Sequence, residues 1–234
     1  MSKLTLIRHG QAAAFAKNSD RLTTLGEQQA QHLGDYLVRR NAQFDRIICG
    51  TLQRQRHTAQ IVKDALPGSP PIEENPAFNE YDAGGVTTHL ADALAAADPA
   101  FAALRQAYLD NRHGEERNKH FQRMFEPLMS AWFRSEYALE QVEAAGAFFG
   151  RVETVLAAIF NESASNQNVA VFTSGGVIGT AVQTITQAPR PMALELNWRV
   201  RNSSLTEFLY SRGRASLDLF NATPHLPAAL VSYR

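Results

Sequence analysis

The sequence predicts an α/β fold: a mostly parallel central sheet flanked by helices, with a helical cap inserted into it. Short apolar runs alternate with stretches of helical periodicity in units of about 30 residues, the signature of parallel strands joined by crossover helices. One long segment, residues 86 to about 160, breaks that alternation with helix after helix and no strand-like run. A polar hairpin pattern near the C-terminus adds an antiparallel edge.

The first strand is Leu4-Thr5-Leu6-Ile7, which ends on Arg8-His9-Gly10. A helix follows from Thr24, where Leu25, Gln29, Leu33 and Leu37 share one face with Ala30 beside it. Thr24 and Glu27 are spaced as a capping box and fix its start. Residues 44–49 (FDRIIC) form the second strand. They lead into a helix from Leu52 to Leu66 that buries Thr58, Ala59, Val62 and Ala65 or Leu66, and Pro67-Gly68 ends it. A loop rich in Pro, Glu and Asn comes next.

Residues 86–140 are expected to be the helical cap within a single domain spanning 1–234, with the helix after it returning to the core. Asp98 is the N-cap of one cap helix and Pro99 its first residue. Tyr108, Phe121, Phe125, Trp132 and Phe133 recur at helical spacing and are expected to form mostly cap core. Residues 169–173 are the third strand, and Val177, Ile178, Ala181, Val182 and Ile185 are the buried face of the next helix. Leu205–Tyr210 and Ser216–Phe220 pair around Ser211-Arg212-Gly213-Arg214.

The 234 residues carry 23 basic and 23 acidic side chains, so nothing in the total charge calls for a nucleic-acid or membrane partner. The single cysteine, Cys49, excludes an internal disulfide framework, and its apolar surroundings predict a buried, inert thiol. No stretch reaches the ~20 apolar residues of a membrane span, and the N-terminus lacks the apolar core of a secretion signal. A cytoplasmic protein is the expectation. No Cys/His cluster has zinc spacing and no carboxylate constellation demands Mg²⁺, so neither metal nor cofactor is expected. Nothing in the sequence fixes an oligomeric state.

Ligands of open parallel sheets sit beyond the carboxyl ends of the strands. There the chain places Arg8-His9-Gly10, then Gly50-Thr51-Leu52-Gln53-Arg54 at a helix start, then Thr173-Ser174-Gly175-Gly176 at another. Two guanidiniums, an imidazole and two helix N-termini suit a dianion, because arginine matches phosphate oxygens and free N–H groups solvate anions.

Four blocks resemble one family. LIRHGQ with LTTLGEQQAQHLGDYL, IICGTLQRQRHTAQIV, FNEYDAGG and RNSSLTEF are similar, in order, to the blocks of the histidine phosphatase superfamily, its phosphoglycerate-mutase-like branch. The resemblance covers both ends of the core and not the cap. It implies that His9 attacks phosphorus to form phosphohistidine and that Arg8 and Arg54 hold the phosphoryl oxygens. It implies that Glu80 protonates the leaving oxygen and then activates water. Gly10, Gln11, Ser174 and Gly175 would line the phosphoryl group. The substrate would be a small phosphomonoester or a phosphoprotein, selected by the cap.

The block at the third strand, VFTSGGVI, departs from the pattern. Its family form carries a histidine before Gly-Gly, and here Ser174 stands in that place. Ser174 is not a nucleophile elbow, because Phe172 occupies the first glycine position of G-x-S-x-G. Its alternative role is N-cap of the following helix. Losing one preorganised donor costs ~10²–10³ in rate, which leaves room for a slowed phosphatase. Arg56, His57, His113, Arg117 and His120 are candidate compensating cations. Two other readings stand beside this one: a phosphate- or phosphoprotein-binding module without turnover, and a phosphomutase. The stretch QAAAFAKNSDRL argues against the mutase, since it lacks the Trp-Asn pair that mutases of this superfamily carry after RHG.

Overall fold

A computed structural model describes residues 1–13, 19–137, 140–162 and 166–233. The chain divides into two compact units, one made of Met1–Glu80 with Arg151–Arg234 and the other of Tyr81–Gly150.

The first unit is built on six strands: β1 (Ser2–Arg8), β2 (Arg46–Cys49), β3 (Ile72–Glu74), β4 (Asn168–Thr173), β5 (Leu205–Ser211) and β6 (Arg214–Ala222). Their order in the sheet is β3-β2-β4-β1-β5-β6. The first four are parallel, and β5 and β6 continue antiparallel from β1. The sheet is therefore mixed, with a parallel core and the antiparallel edge that the hairpin pattern predicted. β1 and β4 are buried almost throughout, as central parallel strands must be when both faces are covered.

The helices of this unit are α1 (Thr24–Arg39), α2 (Gln53–Ala65), α7 (Gly175–Thr186) and α8 (Met192–Arg199), together with the later part of α6 (Ala145–Phe160). Ile7, Leu33, Ile47, Ala59, Val62, Ala170 and Phe172 form a dry core between sheet and helices. The cap of α1 differs from the sequence expectation by one residue. Thr23, not Thr24, is the N-cap, and its Oγ1 accepts the Gly26 N–H at 3.0 Å. Both threonines satisfy the preference of the position, and the backbone bond from Thr23 N to Gln11 O selects the first. Two short elements add to the sequence expectation: β3 arises within the predicted loop, and α8 in a stretch to which the sequence assigns no element.

The second unit contains α3 (Ala83–Ala97), α4 (Pro99–Asn111), α5 (Arg117–Phe133) and the start of α6. Its bounds lie outside 86–140 at both ends. Asp98 caps α4 as expected, accepting from Ala100 N at 2.9 Å. Phe125 and Trp132 are buried; Tyr108 meets Phe121 edge-on at 5.4 Å, and Phe121 stacks on Phe125 at 4.9 Å. No helix among the described residues is long and apolar enough to cross a membrane.

Candidate active site

The parallel register brings three strand ends to one edge. Arg8 pairs with Thr173, and Cys49 with Phe172. The next residues stay tied, His9 N donating to Thr173 O at 2.9 Å and Gly50 N to Phe172 O at 3.1 Å. His9, Gly50 and Ser174 therefore start from adjacent backbone positions.

His9 is buried at 6% exposure, and both ring nitrogens are engaged. Nδ1 lies 2.6 Å from the Gly10 carbonyl, and Arg54 Nε lies 3.2 Å from Nε2. A carbonyl can only accept and a guanidinium N–H can only donate, so the neutral ring carries its proton on Nδ1 and its lone pair on Nε2. Burial first, then the Arg54 and Arg8 charges, hold the imidazole well below its ordinary pKa, against the Gly10 carbonyl.

Arg54 opens α2 and reaches two partners. Besides His9, its Nη1 donates to Asp20 Oδ1 at 2.8 Å. Asp20 also accepts the Gln53 N–H at 2.8 Å through Oδ2 and faces Arg54 N at 3.5 Å. Its carboxylate thus occupies the N-terminus of α2, where the N-cap residue Leu52 has no polar side chain to offer. Sequence reasoning missed Asp20, because a carboxylate 34 residues away and outside any matched block gives no local signal. Arg8 is buried, and its Nη1 donates to the carbonyls of Val200 and, at 2.8 Å, Tyr233. Its charge acts on His9 from there.

Glu80 closes the loop after β3. One carboxylate oxygen accepts the Gly176 N–H at 3.0 Å, at the N-terminus of α7. The loop itself is fastened from three sides. Arg151 Nη1 donates to the carbonyls of Ala77 and Asn79, both at 2.8 Å. The Asn79 side-chain amide accepts the Thr51 backbone N–H and donates to the Thr51 hydroxyl, both at 2.7 Å. The Phe78 carbonyl accepts from Thr173 Oγ1 at 2.7 Å and Gln55 Nε2 at 3.0 Å.

Ser174 is the N-cap of α7 by position, yet its hydroxyl makes no capping bond. It is fully buried and accepts Gln55 Nε2 at 2.8 Å. Gln55, also fully buried, is a second residue missed from sequence: it follows Arg54 in α2, about 100° further round the helix, and faces inward.

Gly10 and Gln11 line the turn after β1. Gly10 N donates to Thr58 Oγ1 at 3.1 Å, and a side chain at Gly10 would run into the Gly26 carbonyl. Gln11 N donates to Gln29 Oε1 at 2.8 Å, and its own Oε1 accepts Thr23 Oγ1 at 2.9 Å. Gly175 packs against the Asn197 side chain. Of the candidate compensating cations, Arg56 pairs with Glu74, and His57 lies 4.0 Å from Glu27. His120 lies 3.7 Å from Glu116. Residues 14–18, within the stretch that argues against a mutase, lie outside the described residues.

A family model described as the histidine phosphatase superfamily (branch 1) matches residues 4–130 and 110–223. The mitochondrial serine/threonine-protein phosphatase Pgam5 of Caenorhabditis briggsae is 37% identical over 79 residues. That match takes in 31% of this chain and only 28% of the length of Pgam5. Among solved structures, the alpha-ribazole phosphatase from Shigella flexneri superposes with a TM-score of 0.64 at 21% identity, over 94% of this chain and 96% of that one. A phosphoglycerate mutase from Bacillus anthracis superposes with a TM-score of 0.65 at 18% identity, over 96% and 94%. These likenesses are ones of fold. With the family model matched over nearly the whole length, the chain belongs to the histidine phosphatase superfamily.

Proposed function

We propose that this protein is a phosphomonoester hydrolase that works through phosphohistidine at His9, with guanidinium groups rather than a metal ion stabilising the phosphoryl charge. The observation that carries this reading is the state of His9: a buried neutral imidazole whose Nδ1–H is fixed by Gly10 and whose Nε2 lone pair faces Arg54.

In this reading Nε2 attacks phosphorus, the ester P–O bond breaks, and the leaving oxygen takes a proton from Glu80. The ring becomes cationic as it is phosphorylated, and the Nδ1–H bond to the Gly10 carbonyl strengthens with it. Water then attacks phosphorus, gives its proton to Glu80, and the N–P bond breaks to release inorganic phosphate and the neutral ring. Arg54 supplies charge where it develops, and its Nε–H passes from Nε2 to a phosphoryl oxygen. Arg8 contributes its field, and Gly10, Gln11 and Gly175 supply the backbone around the phosphoryl group. Ser174 is a third, uncharged donor in the place of the family's second histidine. Once its oxygen has accepted from Gln55, its own O–H proton is left to donate.

The test is phosphate release from a panel of phosphomonoesters by the native protein, His9→Ala and Ser174→His. Release that vanishes in His9→Ala supports the hydrolase, and a rise in Ser174→His supports the weakened donor. Release seen only in Ser174→His would favour a phosphate-binding module. Release that survives in His9→Ala would remove the phosphohistidine route.

A further inference from the structure

Asp20 holds the guanidinium that the proposed mechanism gives to the substrate, and with it the N-terminus of α2. Its two carboxylate oxygens take up Arg54 Nη1, the Gln53 N–H and the side of Arg54 N, the donor set a phosphoryl group would use at this helix start. The chain just after it is anchored. Ala12 and Leu22 form a β-bridge, and Ala13 N donates to the Arg21 carbonyl at 2.9 Å. The Asp20 side chain is 35% exposed and Arg54 19%, so the carboxylate can swing to water without breaking the core.

We propose that Asp20 is a positioning residue that occupies the anion place at Arg54 and sets the affinity of the site, a substrate phosphoryl group having to displace it. This rests on the phosphatase reading of the site. A carboxylate beside the bound dianion repels it, and the same carboxylate must give up its own ion pair before Arg54 is available. Both effects weaken phosphate binding. They also keep Arg54 oriented, its Nε on His9, when no substrate is present.

The experiment is calorimetric titration of the native protein, Asp20→Asn, Asp20→Ser and Arg54→Ala with inorganic phosphate at constant ionic strength. Asparagine and serine both keep an oxygen for the Gln53 N–H and remove the charge. The expected result is a phosphate Kd lowered about threefold to tenfold in both, the scale of one part-exposed ion pair. KM for a phosphomonoester should fall in parallel. A role in capping α2 alone would lower the melting temperature and leave Kd unmoved. An unchanged or raised Kd in both variants, with binding lost in Arg54→Ala, overturns the inference and leaves the phosphate site standing. Phosphate binding of equal strength in native protein and Arg54→Ala would overturn the site reading itself.

Discussion

Glu80 accepts the Gly176 N–H at 3.0 Å, so the carboxyl proposed as proton donor and acceptor is held by the N-terminus of α7. As the proposed general acid, Glu80 would give its proton to the leaving oxygen, so its share of the rate depends on the leaving group.

Glu80→Gln should accordingly lower kcat/KM, which reports phosphoryl transfer to His9, far more for alkyl phosphates than for p-nitrophenyl phosphate. A nitrophenolate leaves without protonation, while an alkoxide needs the general acid, a contribution of about 10²–10⁴. Measuring kcat/KM for both substrates in native and variant protein checks this. Equal losses on the two would remove Glu80 from proton transfer to the leaving group.

The second prediction concerns His9. Arg54 is the larger of the two charges that hold its imidazole below the ordinary pKa. In Arg54→Gln that depression shrinks, so the acid limb of the kcat/KM profile should move toward neutral pH. The rate above the limb should fall by about 10²–10³ through loss of the phosphoryl donor. An NMR titration of the His9 ring gives the same shift without turnover. A limb that stays in place would mean that burial and Arg8 set the imidazole without Arg54.

Much of this arrangement was legible in the sequence. The run Leu4–Ile7 ending in Arg8-His9, the matched spacing of Arg54 and Thr58, and the helical stretch after Val86 were readable because each is local periodicity or a contiguous block. β3 was hidden because three residues flanked by Pro71 and Pro76 carry no alternation, and only pairing with β2 makes them a strand. α8 has eight residues, too few to show a face. Asp20 and Gln55 were invisible for another reason. Each acts on a residue brought near by the fold, so no spacing along the chain records the contact.

Gln55 carries the third prediction. Its amide donates to both Phe78 O and Ser174 Oγ inside a fully buried site. Gln55→Leu keeps the volume but strands the serine hydroxyl, at a cost of about 1–3 kcal/mol. For a domain of this size each kcal/mol lowers the melting temperature by about 2–4 °C. Ser174→Ala should lower kcat by about tenfold, the worth of one neutral hydrogen bond. Thermal unfolding and kcat, measured on both variants, separate the two effects: both should lose stability, since Ser174→Ala leaves a Gln55 N–H unpaired, and Ser174→Ala should lose the donor's tenfold in rate as well.

The fourth prediction follows from His225, buried against Tyr36 with ring centroids 5.9 Å apart and its Nε2 3.3 Å from Ser203 Oγ. Burial first, then the nearby His32, lower its pKa from 6.5 to about 4, with the Ser203 contact opposing. In the unfolded chain the ring titrates near its ordinary value and takes up a proton below about 6.5. Between about 6.5 and about 4 the unfolded state therefore binds more protons, and stability falls as the pH falls. The whole contribution, about 3 kcal/mol by the linkage of one proton over that window, is present above about 6.5 and gone below about 4. His9 acts in the same direction, so the variant must isolate His225. His225→Gln retains a donor toward Ser203 and cannot titrate. Urea unfolding at pH 7.5 and pH 5 should show a smaller loss of stability in the variant than in the native protein, by about 2 kcal/mol. Identical losses would mean that His225 is protonated in the fold, and that its ring finds a second hydrogen-bond acceptor there.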